Sequence, residues 1–166
     1  ELDYDHQRAS VGLEAISSVG SLRLNQYYGL SNKKKGFNDV NEEALDGHDM
    51  EVGVPLPYLP WTNFSYRSFE WKGVDGTADQ KGDEISLEAK FSGFNVEVGK
   101  RSHDGNTKDN EFLKLTWTCC NKDQEEIGIS DTAYELTSMA DQKFAKVERQ
   151  NLIVKQKEMS FSVIGF

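Results

Sequence analysis

The chain has 166 residues, with 28 acidic against 19 basic side chains and a formal net charge of -9, a balance that argues against a nucleic-acid partner because phosphate binding rests on clustered Lys and Arg. No apolar run approaches the roughly 18 residues a membrane helix needs. That excludes only helices, since a membrane β-barrel carries its lipid face in every second residue and leaves mean hydropathy unremarkable.

Alternation with period two dominates from Arg8 to Cys119. In order, Ala9, Val11, Leu13 and Ala15 oppose Arg8, Ser10, Gly12 and Glu14; Leu22, Leu24, Tyr28 and Leu30 oppose Arg23, Asn25, Tyr27 and Gly29; Met50, Val52, Val54 and Leu56 oppose Asp49, Glu51 and Gly53. Phe64 and Tyr66 then oppose Asn63, Ser65 and Arg67; Ile85, Leu87, Ala89 and Phe91 oppose Ser86, Glu88 and Lys90; Phe94, Val96 and Val98 oppose Asn95, Glu97 and Gly99; Leu113, Leu115 and Trp117 oppose Phe112, Lys114 and Thr116. These are seven expected strands, and an eighth would end at Glu1 to Tyr4.

Every second connection is long and polar (31–48, 72–83, 103–110), while those between are short (17–20, 55–61, 92–93). In an up-and-down meander this places all long loops at one end and all short turns at the other, the asymmetry of an outer-membrane barrel. The chain's three prolines all fall in PLPYLPW, 55–61. Proline has no N–H for a ladder and belongs at strand ends or turns, so Pro55, Pro57 and Pro60 mark a barrel rim, with Tyr58 and Trp61 beside them at the interface. Tyr27, Tyr28, Phe69, Trp71, Phe91, Phe94 and Trp117 also lie toward strand ends, where aromatic belts form.

After Cys120 the period changes. Ser130 or Asp131 can cap a short helix whose apolar face is Leu136, Met139, Ala140, Phe144 and Val147. Extended character then returns around Ile153 and Val154. The chain opens at Glu1 and closes on MSFSVIGF, which reads as the start of another strand; both ends are expected to continue into a longer protein.

No cofactor or metal is expected. Cys119 and Cys120 are adjacent, and His6, His48 and His103 are too scattered to complete a zinc site. Asp104, Asn106 and Asp109 are spaced loosely like a calcium loop but miss its order, and the ordinary reading is a turn. An enzyme is not expected: no histidine has a partnered nucleophile, and Glu42-Glu43 and Glu125-Glu126 read as solvated charge.

Alternation does not say which face is outside. Arg8, Glu14, Arg23, Glu51, Arg67, Glu88, Lys90, Glu97 and Lys114 give one face both signs of charge at mid-strand. A wet lumen in a membrane barrel and the outer surface of a soluble β-barrel or sandwich that binds a ligand both have that character.

The stretch YYGLSNKKKGFNDVNEEALDGHDMEVGVPLPYLPWTNFSYRSFEWKG (27–73) resembles the barrel of the intimin and invasin family, the inverse autotransporters of Gram-negative bacteria, as do RASVGLEA (8–15) and SLEAKFSGFNVEVGKR (86–101). KFAKVERQNLIVKQK (143–157) resembles the linker that follows the family's last strand. The resemblance implies an all-β fold: an antiparallel up-and-down transmembrane β-barrel in the outer membrane, here a fragment with about seven or eight of twelve strands, then a short helix and an extended linker. It further implies a barrel over 1–120, a periplasmic helix and pore-threading linker over 121–158, and the start of a passenger over 159–166. The nine charged residues named above would contact the linker, to which Lys143, Val147, Glu148, Arg149, Asn151, Ile153 and Lys155 belong. Implied partners are outer-membrane lipid, the chain's own passenger, the barrel-assembly machinery, periplasmic chaperones and, through the passenger, a host-cell receptor.

Overall fold

Seven strands occupy the alternating segments, each extending slightly beyond its apolar stripe. The computed structural model describes residues 6–35, 41–91, 93–104, 108–117, 128–134, 136 and 153–157. In chain order the strands are β1 (Arg8–Ser17), β2 (Gly20–Gly29), β3 (Lys34–Lys35), β4 (Asn41–Ala44), β5 (Gly47–Leu56), β6 (Leu59–Trp71), β7 (Gln80–Phe91), β8 (Phe94–His103), β9 (Asn110–Trp117) and β10 (Lys155–Lys157). A seven-stranded antiparallel sheet runs β1-β2-β5-β6-β7-β8-β9, and a separate three-stranded sheet runs β10-β4-β3. The expected eighth strand at 1–4 and the cysteines at 119–120 lie outside the described residues.

The strand ends joined between β1 and β2, β5 and β6, and β7 and β8 share one end of the large sheet, the short-turn end, and those joined between β2 and β5, β6 and β7, and β8 and β9 share the other, the loop end. Strand β9 finishes at the short-turn end, since Trp117 pairs with Phe94. One face is polar; on the other, Val11, Leu13, Leu24, Met50, Val52, Tyr66, Ile85, Val98, Leu113 and Leu115 are exposed. Each alternation fixes one side chain in or out, so the register that pairs Leu13 with Leu24 and Leu87 with Val98 assembles these residues into a continuous apolar band.

Among the described residues β1 and β9 are free edges with no ladder between them. A closed barrel is therefore not what these seven strands form. Eight strands leave an interior only just filled by side chains, and the polar face here carries long Arg, Glu, Lys and Trp side chains, too much volume to enclose with seven strands.

The short helix is not present at its predicted start. Residues 131–134 are bends, because the backbone here bonds elsewhere: the Ser130 N–H donates to the Tyr58 carbonyl (2.9 Å) and the Ala133 carbonyl accepts from the Tyr58 N–H (3.0 Å). Ser130 Oγ accepts from the Thr132 N–H at 3.2 Å, a local serine turn that competes with a helical first turn. The rest of the predicted helix, apart from Leu136, lies outside the described residues.

Candidate functional site

The polar face is ordered in layers from the short-turn end to the loop end. At the rim, β5 and β6 turn through the two-residue loop Pro57-Tyr58. Tyr58 sits at φ 64°, the left-handed region that position i+2 of a type II turn requires, while Pro57 suits the position before it. The register shifts between Pro55, opposite Asn63, and Leu56, opposite Leu59, leaving Pro60, Trp61 and Thr62 as a bulge on β6. A bulge tolerates a residue without an N–H. Thr62 Oγ1 donates to the Leu59 carbonyl (2.8 Å) and ties it off. Trp61 packs on Phe91 with ring centroids 5.6 Å apart and donates its indole N–H to the Gly128 carbonyl at 2.9 Å.

Above the rim, Glu88 accepts from Asn95 (3.2 Å) and Lys114 reaches Glu97 (3.2 Å), with Lys90 4.0 Å from Glu88. Next comes a belt of alternating sign across six strands: Glu14 opposes Arg23, Arg23 opposes Glu51, Glu51 opposes Arg67, Arg67 opposes Glu84, and Glu84 opposes Arg101. Arg23 bridges Glu14 (2.5 Å) and Glu51 (2.6 Å), and Arg101 Nε donates to Glu84 at 2.6 Å. Opposite charges directly across strands stabilise the pairing register. Beside the belt, the buried Asp49 accepts from Asn25, the Tyr27 hydroxyl and Arg67, each at 2.8 Å. A cavity of about 980 Å³ lies along these layers, lined by the belt from Arg23 to Arg101, the lower charged row and residues of 128–134.

At the loop end the polar face closes over with Tyr27, Leu45, Phe69 and Trp71, against which Val74 and Val154 pack. Arg8 lies 4.4 Å from the Tyr27 ring centroid and 5.7 Å from that of Trp71, a cation held on two π faces. Tyr27, Phe69 and Trp71 thus face inward, which corrects their expected place in a lipid-interface belt: each shares the parity of Arg23 or Arg67. Gly47 and Gly82 oppose Trp71 and Phe69, and a Cβ on either would overlap the ring above it; the missing side chain makes room for the plug.

The small sheet sits at this same end and contains the tail. Residues 155–157 pair with 42–44, and the Leu45 N–H donates to the Val154 carbonyl at 3.0 Å. Lys155 Nζ is 2.5 Å from Glu42 Oε2. The Gln156 side chain accepts from the Val74 N–H (3.1 Å) and donates to the Val74 carbonyl (3.2 Å) and Thr77 Oγ1 (2.6 Å). Glu42 is 4% exposed, not the solvated charge its neighbour suggested. Its charge is offset by Lys155, and His6 Nε2, 3.9 Å away, helps cover it; His6 in turn is hydrogen-bonded to Ser31 at 3.0 Å.

The nine predicted lumen residues all fall on this polar face. Eight of them belong to its ion-paired layers and Arg8 to the plug. Of the predicted linker residues, Ile153 and Lys155 lie at the loop end; Lys143, Val147, Glu148, Arg149 and Asn151 are outside the described residues, as is any contact between them and the belt. Pro55, Pro60 and Trp61 line the cavity. Sequence reasoning missed Glu84 and Arg101, which continue the parity of Ser86 and Gly99 past the expected strand ends, and it did not single out Asp49. In the candidate calcium loop, Asp109 is engaged by Lys100 at 3.0 Å, and that hydrogen bond holds its carboxyl below the usual range of 3.8. Among the described residues no group of three His, Cys, Asp or Glu could hold a metal ion.

A search of curated proteins finds no match. A solved structure reported under "Unveiling the Mechanism Behind the in-meso Crystallization of Membrane Proteins" superposes with a TM-score of 0.74 at 16% identity, covering 93% of this chain and 69% of that one; at that identity the likeness shows the fold. The family model for "Inverse autotransporter, beta-domain" matches residues 1–151, a span that takes in both the wall of charged layers and most of the tail. The chain belongs to the inverse autotransporter β-domain family, whose β-domain is an outer-membrane translocator of Gram-negative bacteria.

Proposed function

We propose that this chain anchors and exports a C-terminal adhesin, as an intimin or invasin does, with its tail threaded through the lumen of a closed, twelve-stranded barrel. In this reading 1–120 is the barrel's C-terminal part, 121–158 a tail with a short helical stretch, and 159–166 the start of a passenger that reaches a host-cell receptor. The barrel-assembly machinery and periplasmic chaperones would deliver it to the outer-membrane lipid. The role is one of conduction and anchorage, without catalysis.

One observation carries the reading: the tail is hydrogen-bonded at opposite ends of the same sheet. Gly128, Ser130 and Ala133 bond to the short-turn rim, while Val154 and Gln156 bond to the loop end. A polar backbone crossing on the lipid side would leave its N–H and C=O groups unpaired in hydrocarbon, at several kcal/mol for each. The charged lumen offers the crossing a wet route. The exposed apolar band on the opposite face supports the same orientation, since a soluble barrel would place that band inside.

The test is fractionation of the full-length protein with a C-terminal epitope. The expected outcome is recovery in the outer membrane, faster gel migration before boiling than after, and an epitope accessible on intact cells. A protein that stays soluble without detergent would instead be a soluble β-rich binding module, and the translocator reading would fail.

A further inference from the structure

The two ends of the tail are held at opposite ends of the large sheet, one within about ten residues of where β9 ends and the other only after the chain has reached the far side. From this we infer that they are two latches acting at different stages: a rim latch at Tyr58 and Trp61 that seats the tail for export, and a mouth latch at Glu42, Val74 and Leu45 that retains it afterwards. The inference rests on the translocator reading above.

The rim latch is local. Strand β9 ends at the rim at Trp117, and Gly128 follows within the same neighbourhood of the chain, so its contacts need no residue to have crossed the sheet. Two of its hydrogen bonds use the main-chain groups of Tyr58, whose N–H donates to the Ala133 carbonyl and whose carbonyl accepts from the Ser130 N–H; the third is side chain to main chain, from the Trp61 indole to the Gly128 carbonyl. The three prolines acquire a role here. Pro55, Pro57 and Pro60 offer no N–H, so Tyr58 is one of few main-chain donors at this turn, which narrows the registers in which the tail can dock. The left-handed conformation of Tyr58 is part of the same device, because it fixes the direction of that donor and acceptor on a residue type that rarely adopts it.

The mouth latch is non-local and combines a main-chain ladder with side-chain contacts. It needs residues 153–157 to have reached the far end, where β10 adds a strand to β4, the Gln156 amide closes on both main-chain groups of Val74, and Lys155 meets the buried Glu42. A site that completes only when the tail arrives can retain it and cannot recruit it.

The experiment follows surface display of the C-terminal epitope in full-length protein after a pulse of synthesis, with protease digestion of intact cells as the second readout. A Trp61→Phe, Ser130→Pro variant lacks two of the rim hydrogen bonds. It is expected to slow display by about tenfold or more, the fold-change of two neutral hydrogen bonds, while heat-modifiable mobility stays that of the parent. Trp61→Phe alone, which keeps the ring contact with Phe91, is expected to slow it by a smaller factor. A Glu42→Gln, Gln156→Ala variant is expected to display at the parental rate but become cleavable by external protease near 153–157. Equal slowing by both double variants, or no slowing by a folded rim variant, overturns the two-latch proposal; absence of display by the parent overturns the translocator reading instead.

Discussion

Asp49 concentrates the polar face's bonding on one carboxylate, with Asn25, Tyr27 and Arg67 converging on it. Removing one partner of a buried charged network leaves the other charge uncompensated, which costs about 3 to 5 kcal/mol. Asp49→Ala is therefore expected to destabilise the refolded protein by about 3 kcal/mol in urea titrations, whereas Asp49→Asn, which keeps an acceptor, loses less. Tyr58 makes the opposite case. Relieving a left-handed non-glycine residue is worth about 1 kcal/mol, so Tyr58→Gly is expected to raise stability by up to that amount, and because its bonds to the tail are main-chain bonds the amide of residue 58 should keep its protection in hydrogen exchange. At the β8–β9 loop the sign is set by Lys100: it lowers the folded-state pKa of Asp109, so the contact stabilises the loop at pH above the unfolded carboxylate value and is lost as pH falls through the lower folded one. Lys100→Met is expected to return the Asp109 titration, followed by NMR, toward its ordinary value.

At the scale of strands, the apolar band makes a directional prediction. Leu24, between Leu13 and Met50 on the outer face, should tolerate Arg poorly, because a cation at membrane depth on the lipid face costs about 2 to 4 kcal/mol. Thr116, opposite Asn95 on the polar face, should accept Arg with little loss. The folded fraction on unheated gels after refolding into bilayers reads both, and equal losses would contradict the assignment of faces. These faces were legible in the sequence because period two survives a boundary error of two or three residues, which is how Arg23, Glu51 and Arg67 could be placed without knowing where their strands end. The same error hid Glu84 and Arg101. Strands β3, β4 and β10 span only two to four residues, too short to show a period, and β4 pairs with β10 across more than a hundred positions. Glu42 was misread for that reason: its burial comes from Lys155 and His6, and nothing near it in sequence announces either. Tyr27, Phe69 and Trp71 illustrate a different limit, since an aromatic residue near a strand end serves equally well in a lipid belt or an internal plug, and only its parity with the charged face separates the two.

For the molecule as a whole, the two docking ends set a length requirement on the chain between them. Leu136 and Ile153 are seventeen residue steps apart, enough for about 56 Å if fully extended. A ten-residue strand such as β5 is only about 33 Å long, and strand tilt shortens the path along a barrel axis further. An extended tail therefore has slack, and removing four residues from 137–152 should leave both the rim and mouth contacts in place. If the predicted helix occupies part of this stretch, each helical step advances only about 1.5 Å; with helix as far as Val147 the reach falls to about 36 Å, close to the minimum. The same four-residue deletion would then break one latch unless the helix unwound. Removing ten residues leaves about 23 Å at full extension, too short in either case. Cysteine pairs at Tyr58 with Ala133 and at Leu45 with Val154, each joined by a main-chain hydrogen bond, report the two ends separately: the expected result is that both cross-links persist after the short deletion and that one is lost after the long one. Persistence of both after the long deletion would mean that the tail does not span from rim to mouth along the lumen.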